Sequence, residues 1–434
     1  MITIKVQVVG IVQGVGFRPF VYNLALKHNI KGWVNNDEKG VNIFLYAKED
    51  DIQNFISELK SNPPILSKID SINIKEITKK QEYKNFEIIQ SSSSKNKSTI
   101  ISADIAICED CIADINDSFN HRYNYSLTNC TNCGPRYSII QTVPYDRCNT
   151  SMRSFNLCPK CKEEYENPLD RRYHAQPVSC EVCGPNITMY NKNNTILYNN
   201  IEAIEKTALM IKEGYVIAVK GLGGFHLICD ATNDNVVNTL RINKNRPLKP
   251  YALLFKDINS IKDYTIVNLK EEEILTSKEK PIVLLDSKNN SILSKYIAPN
   301  VNKLGCFIAY TGIHHMLFRY LKTPIIATSA NLKDEPIIRG KEEIFEKLSG
   351  VVDFVLDYNR DIINTCDDSV IQVVKNYNIK LRNARAYAPT PIKLDKKIEK
   401  KILSLGANQK STISLAFENN LILSPHIGDL NSIQ

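Results

Sequence analysis

The chain has 434 residues, 43% hydrophobic and 24% charged, which is too long for one hydrophobic core and too ordinary in composition for a disordered or fibrous protein. A net charge of +8 suits anionic ligands such as phosphates, nucleotides or nucleic acid, and equally suits a solvated lysine-rich surface. No stretch approaches about eighteen consecutive apolar residues, and the first ten lack the pattern of a secretory signal. A cytoplasmic chain without membrane contact is therefore expected.

From the N-terminus, Ile2, Ile4, Val6 and Val8 alternate with polar residues, the period of a half-buried strand. A glycine-rich loop follows over residues 10–18, and Pro19 stands where a helix carrying Phe20, Val21, Leu24 and Ala25 is expected to begin. Trp33 to Asn36, a polar turn at residues 37–40, and alternating Val41, Ile43, Leu45 and Ala47 read as a hairpin. A second helix carries Ile52, Phe55, Ile56 and Leu59, with further strands near residues 69–77 and 86–89. The order βαββαβ is the ferredoxin-like split unit.

Within this domain Gly14 and Gly16 permit turns that point successive amides inward, ahead of a helix N-terminus that favours an anion. Arg18 adds a bidentate cation, and Asn36 on the hairpin offers an amide able to orient a water. A glycine loop before a helix is also, by itself, simply a turn. The strings VQGVGFRPFVYNLA and GWVNNDEKG resemble the acylphosphatase family. The resemblance implies a phosphate loop of Gln13, Gly14, Val15, Gly16 and Phe17, with Arg18 on the phosphoryl oxygens and Asn36 positioning the nucleophilic water.

Eight of the twelve cysteines form four C-x2-C pairs: Cys108 and Cys111, Cys130 and Cys133, Cys158 and Cys161, Cys180 and Cys183. The last four are the first four shifted by fifty positions, and the same shift maps Arg122-Tyr123 onto Arg172-Tyr173 and Gly134-Pro135 onto Gly184-Pro185. The module is therefore an internal duplication. Four thiolates at this spacing close a tetrahedral shell, so two structural Zn2+ sites are expected, without an open position for substrate. The segment has few aliphatic residues, and metal would stand in for a core. A zinc ribbon can also bind nucleic acid, but the charges between the pairs are mixed. Cys229 and Cys306 read as buried small hydrophobes, and Cys366, beside Asp367 and Asp368, has no evident cationic neighbour.

Beyond residue 198 the texture becomes α/β. A helix over residues 201–211 leads to short apolar strands at 216–219, 225–229, 252–255, 282–285, 325–327 and 352–356. Neither a P-loop nor a dinucleotide fingerprint is present, since KGLGGFH lacks the required ending. Instead, cations and small polar groups gather at strand ends: Lys220, then Lys244, Arg246 and Lys249 in NKNRPLKP, then Thr328, Ser329 and Asn331, then Arg382 and Arg385. Singly each is a surface charge; jointly they could bind a polyphosphate and neutralise a departing pyrophosphate. His314 and His315, in the helix-like YTGIHHMLF, read as a core or capping pair or as substrate groups.

KGLGGFHL, K-x-R-P-x-KP and TSAN resemble the YrdC-like family of ATP-dependent carbamoyl-adenylate formers. The resemblance implies nucleotide and acyl binding by Lys220, His226, Lys244, Arg246, Lys249, Thr328, Ser329, Asn331 and Arg382, with ATP and Mg2+ as substrate. In order, the modules resemble the HypF family, the carbamoyltransferases that mature nickel-iron hydrogenases. That implies an α/β multidomain chain: acylphosphatase domain 1–91, zinc-ribbon module 100–190, YrdC-like domain 198–390, and at 400–434 the beginning of a transferase domain, incomplete here. Carbamoyl phosphate and ATP would be the substrates and the C-terminal cysteine of a HypE-type protein the acceptor. Two other readings are a threonylcarbamoyl-adenylate synthase of tRNA modification and a zinc-ribbon nucleic-acid-binding protein.

Overall fold

The structure is a computed structural model that describes all residues except 38, 65, 78–82, 91–100, 289–291, 333, 334, 409, 429 and 431–434. The expected first domain junction and the last four residues lie outside the described residues. The chain forms two compact units, Met1–Ser102 with Asn129–Gly184, and Ala103–Thr128 with Pro185–Gln434.

The first unit holds a five-stranded sheet. Its elements are β1 (Ile2–Ile11), α1 (Phe17–Lys27), β2 (Lys31–Asp37), β3 (Gly40–Ala47), α2 (Glu49–Ser61), β4 (Lys68–Glu76) and β5 (Phe86–Ile88), in sheet order β4-β1-β3-β2-β5. This is the ferredoxin-like order, with β5 added in parallel beside β2. Period-two alternation sends Val6, Val8, Val34, Ile43 and Leu45 inward, where Val21, Leu24, Ile52, Phe55 and Leu59 of the two helices cover them. On β2 and β3, Trp33 stacks on Phe44 at 4.4 Å between ring centres. Helix α1 begins at Phe17, two residues ahead of the expected start, because Gly16 caps it in the left-handed region at φ 73°. Arg18 thus lies in the first turn, and Pro19 follows where its missing N–H has no intrahelical partner to lose.

The remainder of this unit, Asn129–Gly184, is short on regular structure. It carries one helix, Pro159–Glu166, and three single-turn 3-10 segments. Arg147 substitutes for a core by donating to the carbonyls of Phe155, Gln176 and Val178 at 2.6–3.2 Å.

In the second unit a twelve-stranded sheet runs through its buried strands Ile217–Lys220, Phe225–Asp230, Ile325–Ser329, Ala252–Phe255 and Lys303–Ile308. Strand Phe225–Asp230 lies antiparallel to both Ile217–Lys220 and Ile325–Ser329, so the loops after Lys220 and Ser329 meet at one end of the sheet. Ser329 lies directly opposite His226 in that register. The expectation of one module over 100–190 differs from this division. Ile107 donates its N–H to Tyr310, and Arg319 bonds Asn116 and Asn124, which ties residues 103–128 into the second unit. At the chain's end Ile392–Leu405 and Ile413–Leu423 pair as a two-stranded antiparallel ribbon.

Candidate functional site

The first unit contains a cleft between the end of β1, the start of α1 and the segment 129–184. Gln13, Gly14, Gly16, Phe17, Arg18 and Asn36 line one side; Thr131, Arg136, Tyr145, His174 and Gln176 are among those that line the other. Gly14 and Gly16 take φ of 70° and 73°, and a Cβ at either would come to 3.1 Å of Tyr145 and Thr131 respectively. The backbone conformation therefore favours glycine at both positions, and the neighbouring side chains leave little room for anything larger. Arg136 braces the loop, donating Nε to the carbonyl of Gly14 at 2.6 Å and its other nitrogens to Gly134 and Thr131.

Arg18 is buried at the cleft, and its guanidinium lies 3.1 Å from Asp146 Oδ1. Asn36, on β2 opposite Val41, is 1% exposed, and its Oδ1 has no hydrogen-bond partner among the described residues. A buried amide oxygen left without a donor is uncommon and costly, and Asn36 lines a cleft that can admit a water. Gln13 behaves otherwise: its Nε2 donates to the carbonyls of Asp37 and Gly40 and its Oε1 accepts from Tyr145 N–H. That side chain pins the loop to the hairpin turn and leaves only its backbone for an anion. Val15 and Phe17 are 1% exposed and anchor the loop in the core.

In the second unit Lys244 Nζ donates to the carbonyls of Ser329 and Asn331 and to Asn331 Oδ1 at 2.7–3.1 Å. Arg246 donates to Thr328 Oγ1 at 3.0 Å and lies over the Tyr251 ring. Burial pushes Lys244 down to about 7, with the charges of Arg246 and Lys249 adding to it. Burial likewise lowers Arg246 to about 10, with repulsion from Arg241 and Arg382 opposing the favourable Tyr251. Lys244, Arg246, Lys249, Thr328, Ser329, Asn331 and Arg382 are thus gathered at one sheet end, a concentration of positive potential.

Lys220 and His226 are placed differently. Lys220 is buried against Asp357 at 2.9 Å and the carbonyl of Tyr358 at 2.8 Å. His226 Nε2 lies 3.0 Å from Asp368, which also takes Arg385 Nε at 2.6 Å. Burial alone would raise Asp368, but Arg385 and His226 hold its carboxyl well below the usual range. Arg385 lies over Tyr310 at 3.6 Å, and His314 packs edge-on against the same ring. His314 is therefore a core residue, and burial keeps it neutral. Cys366 does have a cationic neighbour in Arg385, contrary to expectation, yet burial pushes its thiol well above the usual value. Cys229 and Cys306 are fully buried, as anticipated.

Within the first unit, the Sγ atoms of Cys158, Cys161, Cys180 and Cys183 all lie within 4.8 Å of one another. Cys130 and Cys133 are also in this unit, their sulfurs 3.8 Å apart, while Cys108 and Cys111 flank the start of helix Glu109–Asn116 in the second unit. None of the cysteines forms a disulfide. Four convergent thiols fit a closed tetrahedral Zn2+ site.

Four family profiles match the chain: acylphosphatase over residues 4–88, HypF finger over 107–140 and 157–190, the Sua5/YciO/YrdC family described as telomere recombination over 209–384, and HypF Kae1-like domain over 397–434. The carbamoyltransferase HypF of Synechocystis is 44% identical over 430 residues, 99% of this chain and 56% of that protein. A probable carbamoyltransferase HypF of Methanocaldococcus jannaschii is 42% identical over 434 residues, with the same coverage. A crystal structure of full-length HypF in the phosphate- and nucleotide-bound form superposes with a TM-score of 0.95 at 43% identity, covering 99% of this chain and 56% of that one.

The chain belongs to the HypF family. It spans a little over half the length of the HypF proteins it matches. Its head is an acylphosphatase domain: an acylphosphatase of Leuconostoc mesenteroides is 42% identical over 73 residues, 81% of that protein. The two HypF finger matches each contain one four-cysteine set, so the duplicated module holds two structural zinc sites, the second by Cys158, Cys161, Cys180 and Cys183.

Sequence reasoning missed the far wall of the cleft, Thr131, Arg136, Tyr145, His174 and Gln176, and the Asp146 that pairs with Arg18. One signal was available. The fifty-residue shift that aligns the cysteines aligns Arg136 with Asn186 and His174 with Asn124, so the two copies differ at cleft-lining positions.

Proposed function

We propose that the chain hydrolyses carbamoyl phosphate in the cleft around Arg18 and activates the released carbamate with ATP, bound with Mg2+, at the cationic sheet end of the second unit. The observation that carries this reading is that Arg18 and Asn36 line the same cleft, with Asn36 Oδ1 a buried acceptor that lacks a donor among the described residues. A water bonded to Asn36 is oriented toward a phosphoryl group whose oxygens rest on the loop amides of residues 13–18 and on Arg18. Attack at phosphorus forms the new P–O bond and breaks the bond to the acyl oxygen, and carbamate leaves as an anion needing no acid.

In the second step a carbamate oxygen attacks the α-phosphorus of ATP and pyrophosphate leaves. Lys244, Arg246, Lys249 and Arg382 neutralise the charge that develops, while Thr328, Ser329 and Asn331 offer hydrogen bonds. Lys220 and His226 act one layer back, held by Asp357 and Asp368, and shape the loop between their strands. The carbamoyl group is destined for the C-terminal cysteine of a HypE-type partner. Both steps use cytoplasmic substrates and need neither membrane nor nucleic acid. Among the described residues no helix is long and apolar enough to cross a membrane.

The test is mass spectrometry of the products formed from carbamoyl phosphate and ATP. The chain should release phosphate and convert ATP to pyrophosphate only when carbamoyl phosphate is present. Arg18→Ala should lose phosphate release, and Lys244→Ala should keep it but lose pyrophosphate. Absence of carbamoyl-phosphate-dependent pyrophosphate from the wild-type chain would contradict the proposal.

A further inference from the structure

The duplicated module supplies its own internal control. The fifty-residue shift aligns Asn124 with His174, and both adopt the left-handed region, at φ 60° and 53°. Each donates its backbone N–H at 3.0 Å to an aligned carbonyl, that of Ile115 in one copy and Tyr165 in the other. The aligned arginines Arg122 and Arg172 are both buried. The two turns are thus the same scaffold, and asparagine, among the residues best suited to this backbone, already satisfies it in the first copy. The fold does not require histidine at the second position.

What distinguishes the second position is its surroundings. His174 lines the cleft with Arg18 and Asn36. Its ring is held between Tyr165 at 4.9 Å and Tyr173 at 4.6 Å, whereas the first copy has Ile115 in place of Tyr165. Gln176 fixes the turn by donating to the His174 carbonyl at 2.6 Å. Among the described residues no hydrogen bond reaches either ring nitrogen of His174. Burial first, then the charge of Arg18, pushes the ring down to about 4, so at neutral pH it carries one N–H and one lone pair.

A lone pair repels phosphate oxygens, which have the loop amides and Arg18 to bind instead. We infer that His174 is a specificity-determining residue that reads the acyl end of the substrate, one ring nitrogen accepting an N–H from the carbamoyl amino group. Acetyl phosphate, with a methyl group at that place, has no proton to give, and its binding leaves the ring nitrogen unpaired. The metal module thereby selects among acyl phosphates for a loop that by itself binds only the phosphate. This inference rests on the cleft being the carbamoyl phosphate site.

The experiment compares kcat/KM for phosphate release from carbamoyl phosphate and from acetyl phosphate in the wild-type chain, His174→Asn and His174→Gly. Asparagine is the residue of the first copy and glycine tolerates positive φ, so both variants suit the turn. The wild type should prefer carbamoyl phosphate. Both variants should lose about tenfold or more of that preference, the size of one neutral hydrogen bond, through carbamoyl phosphate alone. Loss of both activities by the same factor, or an unchanged ratio, would overturn the role of His174 while leaving the cleft's function standing. Failure of the wild type to hydrolyse either substrate would instead overturn the reading of the cleft, and this inference with it.

Discussion

Asp146 holds Arg18 at the cleft, carboxylate oxygen to guanidinium nitrogen at 3.1 Å. The two side chains are 22% and 10% exposed, so the pair is only partly screened by solvent. The acylphosphatase loop supplies the cation, and the metal module supplies the group that sets its direction. An arginine released from this partner can still meet a phosphate, but in more than one orientation.

Asp146→Asn should therefore lower kcat/KM for carbamoyl phosphate by about 10- to 100-fold without unfolding the chain, the scale expected when a binding group is misplaced by an ångström or so. Steady-state phosphate release, with circular dichroism as a folding control, checks it. Activity equal to wild type would mean the pair is incidental.

Asn36→Ala should act mainly on turnover. Loss of a group that orients the attacking water but contributes little to substrate binding lowers kcat by about 100-fold or more with KM little changed. Rapid-mixing phosphate release at saturating carbamoyl phosphate measures this. A change confined to KM would assign Asn36 to binding instead.

Lys244 makes nucleotide binding sensitive to pH. Its amine is pushed down to about 7 by burial, with Arg246 and Lys249 adding and Asp367 opposing. Bound phosphates favour the ammonium, so above pH 7 binding should take up a proton and weaken as pH rises. Stability moves in the opposite direction. Between about 7 and the ordinary lysine value the unfolded chain binds more protons than the folded one, so this group's penalty is fully present below pH 7 and relieved as pH rises. Calorimetric titration of a non-hydrolysable ATP analogue in buffers of different ionisation enthalpy should show the uptake, and Lys244→Met should abolish it.

The pair of Arg385 and Asp368, 2.6 Å apart with Arg385 over Tyr310, is a structural element of the second unit. Arg385→Met leaves a buried carboxylate without its permanent cation, with His226 and the Tyr310 hydroxyl still beside it, and should cost about 3–5 kcal/mol in denaturant unfolding. Combining it with Asp368→Leu should recover part of that loss. A single variant as stable as the wild type would show the charge to be solvated in a way the geometry does not suggest.

Much of the fold was legible because its signals are local. The alternation from Ile2 to Val8, the hairpin through Asn36, and the cysteine spacing each state their own geometry within a few residues. Proline, a frequent helix opener, points to Pro19 as the start of α1, whereas Gly16 at positive φ caps the helix and it opens at Phe17. Partnerships across long stretches of chain were not legible. Nothing near Gln13 reveals that its side chain is taken up by Asp37, Gly40 and Tyr145, and nothing near Lys220 or His226 points to Asp357 or Asp368. The far wall of the cleft was hidden for the same reason, except where the two copies of the repeat disagree.

The proposed hydrolysis turns on a water delivered by Asn36 to phosphorus beside Arg18. Hydrolysis of carbamoyl phosphate by the chain in 18O-labelled water, followed by 31P NMR of the phosphate, tests this most directly. One labelled oxygen per released phosphate is predicted, with the labelled product lost in Arg18→Ala. Enzymatic release of unlabelled phosphate would place the attack at the acyl carbon and contradict the account.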